Sequence, residues 1–312
     1  MKYEIEEALA EAKSSSDMLS KEQKISLEEK GFCLIYPNNI RWEKFKIDLE
    51  VAKNRIQDLI EIEGTEGGWD HKSFEKISGK HAEPGSQRVS NLMSKDFYFR
   101  NFFMIPEVLA ATHYIVKDKF KLSSLSFREP LPNMGKQKLH IDWRPRHYHN
   151  TPFDVVVAYV YLDNSTKENG CLRIVPGSHK WLGEPKDYKW NSQKDHPDQI
   201  LVEAPKGSIA VFNAHAWHGG TKNISGERRR SISLVYRNRR LFQQLDQKSF
   251  ILNNIQSRLT RAEKYFLAIR PEDPPQSQFW YKRRNKLYIQ KLAGLAEFIN
   301  HYSIKLSGKR QF

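Results

Sequence analysis

His140, Ile141 and Asp142 form the triplet HID inside the run KLHID. The run reads as a strand, and on a strand residues i and i+2 point to one face. An imidazole and a carboxylate are then presented side by side. One further imidazole from a neighbouring strand would complete a facial set of two histidines and one carboxylate. Such a set leaves one side of an octahedral ion open and favours non-haem Fe(II). The candidate is His218, in AVFNAHAWHGG. An HxD triplet alone is weak, because the chain contains 11 histidines. The residues that follow strengthen it. An open-faced ferrous ion needs a chelating co-substrate, and 2-oxoglutarate chelates through its 1-carboxylate and 2-keto oxygen. Its far carboxylate then needs a fixed cation, best supplied by a bidentate arginine. Arg229 lies shortly after His218, in the run Arg228, Arg229, Arg230 that opens a β-type segment, SISLVYR. On a strand Arg228 and Arg230 share one face and Arg229 takes the other, so only one set points inward.

Other residues near the motif have competing readings. His215 is an odd number of positions from His218, which predicts packing on the opposite face. His179, in PGSHK, is expected to support a turn. His147 and His149 read as solvated loop histidines that could touch substrate. Trp143 and Trp217 flank the ligand candidates and are expected as pocket walls, because indole neither titrates nor ligates here. Arg128, Arg144, Arg146 and Arg173 lie near the motif, and Arg144 continues the face of Asp142 if the strand persists. Two or three of them in one pocket would favour a carboxylate, phosphate or phosphonate substrate. The plain alternative is a set of rim and surface charges.

The elements that must hold these residues read as follows. From about 122 to 236 the chain is a series of short β-type runs (LSSLSF, KLHID, DVVVAYVYLD, CLRIV, SIAVF, RSISLVYR) separated by turn chemistry such as NSTKENG and NISGER. This predicts an all-β barrel or sandwich with helices packed outside. Residues 1–30 read as polar helix, 31–36 as a short strand, 40–62 and 106–121 as helices, and 64–85 as loop. Residues 183–200 are polar and aperiodic and read as a long excursion, a candidate lid. Tyr288, Leu292, Leu295, Ile299, Tyr302 and Leu306 form one apolar helical stripe among basic residues, a face for the barrel, a second subunit in a homodimer, or an anionic membrane surface.

Composition bounds the rest. With 312 residues, 39% hydrophobic and 12% aromatic, the chain can bury a sizeable core and is not disordered throughout. Its longest apolar run, 155–162, is far short of the roughly 20 residues that span a bilayer, and the first residues lack an apolar signal core. Only two cysteines occur, without a CxxC, which excludes a disulfide framework and a cysteine zinc site and points to a reducing cytoplasm. The net charge is +14, and residues 237–312 carry most of it, with 16 basic against five acidic side chains. Such a tail suits nucleic acid, anionic lipid, an acidic partner or plain solubility.

Taken together, four blocks resemble the phytanoyl-CoA dioxygenase family of Fe(II)/2-oxoglutarate oxygenases: HID at His140, DNSTKENGCLRIVPGSHK at 163–180, GSIAVFNAHAWHGGTKN at 207–223 and ERRRSISLVYR at 227–237. The resemblance runs from Gly31, in EEKGFCLIYP, to about Tyr236. It implies a mainly β fold with flanking helices: a double-stranded β-helix (jelly-roll, cupin-like) core over 1–240 and a basic helical C-terminal extension over 241–312. It implies metal ligands at His140, Asp142 and His218, Arg229 on the 2-oxoglutarate 5-carboxylate, and Thr221 and Asn223 on the co-substrate side. It further implies O2-dependent hydroxylation of a small molecule, with release of succinate and CO2. Related halogenases lack the carboxylate that Asp142 supplies, which favours hydroxylation. A small anionic metabolite or natural-product intermediate is the expected substrate, with Arg128, Trp143, Arg144, Arg146 and Trp217 as candidate contacts. A macromolecular hydroxylase or demethylase and a membrane-surface acyl hydroxylase are the alternatives. Repair-type nucleic-acid demethylases place an Arg-x5-Arg pair after the distal histidine. Here the residues six after Arg229 and Arg230 are Val235 and Tyr236, so nucleic acid is not expected.

Overall fold

The computed structural model describes residues 3–64, 85–244, 246–251 and 253–273. Nine strands lie among them: β1 Phe32–Ile35, β2 Ser86–Val89, β3 Phe120–Pro130, β4 Val155–Tyr161, β5 Leu172–Ile174, β6 Ile200–Val202, β7 Ile209–Asn213, β8 His218–Gly220 and β9 Ser231–Asn238. Six form one sheet in the order β1-β7-β4-β9-β3-β2 and three form a second in the order β6-β5-β8, and the pairings of these strands are antiparallel. The fold is therefore mainly antiparallel sheet with helices.

The two faces of the large sheet explain its sequence. β4, VVVAYVY, is buried at every position. Val156, Ala158 and Val160 pack into an outer cluster with the helices, while Val155, Val157, Tyr159 and Tyr161 join an inner cluster with Leu172, Ile174 and Val202 of the small sheet. A strand covered on both sides has no polar alternation to show, which is why it reads as an apolar run. The inner cluster is the space between the sheets.

The helix Pro106–Val116 lies against β3, β4, β7 and β9. Proline at its first position suits a helix start. It ends earlier than the sequence suggests, at Lys117 in the left-handed region (φ 53°), so that β3 can begin at Phe120. The helix expected over 40–62 runs from Leu49 to Glu63. Asp48 sets the start, its carboxylate accepting the backbone N–H of Glu50 at 2.8 Å. Trp42 and Phe45 precede it and pack on the outer cluster instead. The expected loop 64–85 falls almost wholly outside the described residues.

KLHID is not a regular strand. His140 makes a single bridge to His218. The segment 133–142 still follows β8 closely, with Asn133 N–H on Asn223 O (2.7 Å), Gln137 N–H on Gly220 O (3.0 Å) and Asp142 N–H on Ala214 O (2.8 Å). It extends the small sheet without the repeating ladder of a strand.

The excursion 183–200 is one 3-10 turn, Pro185–Tyr188, within irregular chain. It is pinned to the outer side of the small sheet. The guanidinium of Arg173, fully buried, holds Asp195 at 2.6 Å and donates to the Gln137 carbonyl. Past β9, the helix Arg261–Leu267 packs on β3 and on the helix Ile5–Glu11. The apolar stripe at 288–306 lies outside the described residues. No helix among the described residues is long and apolar enough to cross a membrane.

Candidate metal and co-substrate site

The edge between β8 and the segment 133–142 assembles the site. His140 and His218 exchange both backbone hydrogen bonds, and their rings lie 4.4 Å apart. The Nδ1 atom of His140 lies 2.9 Å from the Lys138 carbonyl, and that of His218 lies 2.9 Å from the Ala216 carbonyl. With Nδ1–H donating to a carbonyl two residues back, each ring is fixed with Nε2 as the available lone pair. Both Nε2 atoms lie 3.3 Å from an Asp142 oxygen, one on Oδ1 and one on Oδ2. The ligand atoms of His140, Asp142 and His218 all fall within 4.8 Å of one another, so the three could hold a metal ion. Burial acts to raise the Asp142 carboxyl, but the neighbouring His218 and His140 outweigh it and hold it well below the usual carboxylate range. His218 is sealed at 1% exposure against Phe212, while the Asp142 side chain is 34% exposed. The site therefore opens on the Asp142 side.

The three arginines at 228–230 divide as strand parity requires. Arg228 grips Glu129 with two bonds of 2.6 and 2.7 Å, and Arg230 grips Asp163 with two of 2.8 Å. Arg229 turns inward at 7% exposure. It lines a cleft with Arg128, Gln137, Tyr159, Leu172, Gly220 and Ser231. Its Nε is buried without a hydrogen bond, and no ion pair to it occurs among the described residues. Burial lowers its pKa from the ordinary guanidinium value, as expected of an uncompensated cation.

The other expected residues sort by what their polar atoms already do. Asn223 does not face the cleft. Its amide donates to the Glu227 carbonyl at 2.8 Å and its oxygen accepts Gly226 N–H at 3.0 Å, which folds the turn leading to Arg229. Thr221 Oγ1 donates to the Cys171 carbonyl. Both hold the scaffold rather than a co-substrate. Arg146 is buried, with Nη1 and Nη2 donating to the carbonyls of His179, Lys180, His149 and Thr151, which ties it to the surrounding loops rather than to the cleft. Trp217 packs in a separate cluster from the inner one, against Trp181 and against Tyr188 of the excursion. Arg128 lines the cleft, and Trp143 packs at the edge of the inner cluster. Arg144, His147 and His149 are exposed.

His215 is buried, its Nδ1 3.1 Å from Asn213 Oδ1. His179 is buried under Gly31, where a Cβ would lie 2.4 Å from Nδ1; only glycine fits, and its φ of +83° asks for glycine as well. Gln137, Tyr159, Leu172 and Ser231 were not apparent as site residues from the sequence. Ser231 had a signal, since it shares strand parity with Arg229.

A family model described as phytanoyl-CoA dioxygenase (PhyH) matches residues 70–231, a span containing His140, Asp142, His218 and Arg229. "Dioxygenase af480" of Aspergillus fumigatus is 27% identical over 182 residues, covering 54% of this chain and 56% of that protein. The chain thus spans little more than half the length of that relative. A "probable alpha-ketoglutarate-dependent hypophosphite dioxygenase" of Stutzerimonas stutzeri is 24% identical over 237 residues, covering 69% of this chain and 77% of that one. Among solved structures, HygX from Streptomyces hygroscopicus with nickel and 2-oxoglutarate bound superposes with a TM-score of 0.54 at 18% identity, over 72% of this chain and 89% of HygX. That likeness is one of fold. The family model, by contrast, matches more than half of the sequence and takes in both edges of the β8 site, and on that basis the chain belongs to the phytanoyl-CoA dioxygenase family.

Proposed function

We propose that the chain is a non-haem Fe(II)/2-oxoglutarate-dependent dioxygenase. In this reading it hydroxylates a C–H bond of a small anionic metabolite or natural-product intermediate, and its two facing sheets are a double-stranded β-helix (jelly roll). The observation that carries the reading is Arg229, a buried cation without a counter-charge among the described residues, in a cleft lined also by Gly220 of β8 and by Gln137 of the segment that carries His140 and Asp142. A buried guanidinium left unpaired is costly, and a carboxylate entering the cleft removes the cost. The donor set fits the metal: two imidazoles with lone pairs aimed at one carboxylate suit ferrous iron with one side open.

Iron and 2-oxoglutarate, when bound, supply the oxidising chemistry that inserts an oxygen of O2 into C–H and releases succinate and CO2. The chain's own residues do the rest. His140 and His218 present Nε2 because Nδ1–H is held by a backbone carbonyl. Asp142 stays ionised beside them. Arg229 orients the distal carboxylate of the co-substrate, with Ser231 and Gln137 on the same cleft wall. Phe212, its ring centroid 4.7 Å from that of His218 and tilted 58° to it, closes the inner side against water.

Anaerobic titration with Fe(II) and 2-oxoglutarate tests this. A charge-transfer absorption band is expected in the wild type and in His215→Ala, and its absence from His140→Ala. A wild-type protein without the band removes the reading.

A further inference from the structure

β4 changes character along its inner face. Val155 and Val157 fill the space between the sheets with Phe212 of β7, and the next inward position is Tyr159. Its ring packs edge-on against Phe212, with centroids 5.3 Å apart and planes at 65°. The Phe212 centroid in turn lies 4.7 Å from that of His218. Tyr159 is therefore one ring removed from a metal-ligating imidazole. It also lines the cleft of Arg229, together with Leu172 of β5 and Gly220 of β8 from the facing sheet.

The phenol is nearly sealed and uncommitted. The residue is 9% exposed, and its hydroxyl makes no hydrogen bond among the described residues. Burial raises its pKa, and the charges acting on it are those of Arg128, Asp142, Arg229 and Arg88. At neutral pH it is thus an O–H donor, close to both a metal-ligating carboxylate and the Arg229 guanidinium. Arg229 cannot accept that proton, because a guanidinium carries five donors and no acceptor. An anion seated on Arg229 satisfies both groups, taking N–H bonds from the guanidinium and an O–H bond from the phenol. Buried polar groups are normally paired. An unpartnered Nε on Arg229 and an unpartnered phenol in one cleft therefore point to a shared acceptor.

We infer that Tyr159 is a second anchor for the co-substrate: its phenol donates a hydrogen bond to the distal carboxylate that Arg229 holds, and so selects a keto-diacid over a keto-monoacid of the same length. This rests on the reading above and adds to it a residue and a selectivity. A carboxylate held by one guanidinium alone can still swing about the bond that carries it. A further donor from β4 fixes its plane, and with it the orientation of the whole co-substrate.

The test uses the full chain loaded with manganese(II) under anaerobic conditions. The probes are 2-oxoglutarate and 2-oxovalerate, which has a methyl group in place of the distal carboxylate. Calorimetry reads both dissociation constants. Tyr159→Phe keeps the ring on Phe212 and removes one hydroxyl. It should weaken 2-oxoglutarate about tenfold, as expected for one hydrogen bond to a charged group, and leave 2-oxovalerate and manganese(II) within about twofold of the wild type. In an Arg229→Gln background, where the carboxylate is no longer seated, the same change should cost less than about threefold. Unchanged 2-oxoglutarate affinity in Tyr159→Phe overturns the inference. So does equal weakening of the two acids, or loss of the metal with them, since Tyr159 then acts only by packing. A wild-type protein that binds 2-oxoglutarate no better than 2-oxovalerate removes the parent reading and this anchor with it. One that prefers 2-oxoglutarate, with the preference intact in Tyr159→Phe, removes only the anchor.

Discussion

His140 and His218 are backbone partners, each donating its N–H to the other's carbonyl at 3.0 Å. Two residues distant in sequence are thereby fixed as one antiparallel pair, and the spacing of their imidazoles follows from the ladder rather than from the side chains. Asp142 is set by the next contact along the same edge, its N–H on Ala214 O. The metal-ligating geometry is thus a property of how segment 133–142 lies on β8.

Removing a ligand should therefore cost metal and leave the fold. His218→Ala and Asp142→Ala are each expected to lower Fe(II) or Co(II) affinity by more than about 100-fold, beyond the 10–100-fold typical of losing a residue that only supports a ligand. His215→Ala should bind metal like the wild type. Calorimetric titration of the metal-free protein measures this, with circular dichroism to show that the sheets persist.

Gly219 tests the ladder itself. A Cβ there would lie 3.1 Å from the Lys138 carbonyl and 3.2 Å from that of Gln137. Both are backbone atoms, so the segment must move away from β8. Gly219→Ala is expected to cost about 1–3 kcal/mol in stability and, by displacing His140, to weaken metal binding about tenfold. Unchanged metal affinity in a folded variant would show that the segment adjusts without moving His140.

Arg229 and Arg228 should separate function from stability. Arg229→Gln removes a charge-assisted pair worth about 1.5–3 kcal/mol, so the 2-oxoglutarate dissociation constant should rise roughly 10- to 150-fold while metal binding stays intact. Arg228→Gln leaves the buried Glu129 carboxylate without its partner. It should lower stability by about 1–2 kcal/mol, reduced by the exposure of Arg228 to water, with 2-oxoglutarate affinity unchanged. Equal loss of 2-oxoglutarate in both variants would contradict the inward assignment of Arg229.

How much of this was legible depends on whether a residue's role is local. The His and Asp types at i and i+2, and a later His before Gly-Gly, are local features and point to one another without a structure. Arg229 was legible only as one of two parity sets. The choice between them was made by Glu129 and Asp163, acids on distant strands that claim Arg228 and Arg230. Tyr159 was not legible because β4 is apolar on both faces, so no pattern marks its inner side. Asn223 and Arg146 misled for a shared reason: a polar residue near a motif looks available until the carbonyls it satisfies are known. The helix starting at Leu49 rather than near 40 turned on Asp48, a cap whose competitor was a longer apolar pattern.

Two buried histidines give the fold a pH dependence distinct from that of the metal site. Burial pushes both His179 and His215 down to about 4, with the positive charge of Arg146 adding to the effect on His215. In the unfolded chain each titrates near 6.5. Between those values the unfolded state binds a proton that the folded state refuses, so stability falls as pH drops from about 6.5 to about 4. Above 6.5 these groups contribute no slope. Each accounts for at most about 3.5 kcal/mol at about 1.4 kcal/mol per unit. His215→Phe keeps the ring beside Phe153 and removes one titrating group. Urea denaturation of the metal-free protein at pH 7, 5.5 and 4.5 should show a shallower loss of stability in the variant, by up to about half of the histidine contribution. Parallel losses in both proteins would mean that His215 takes up its proton in the folded state without penalty.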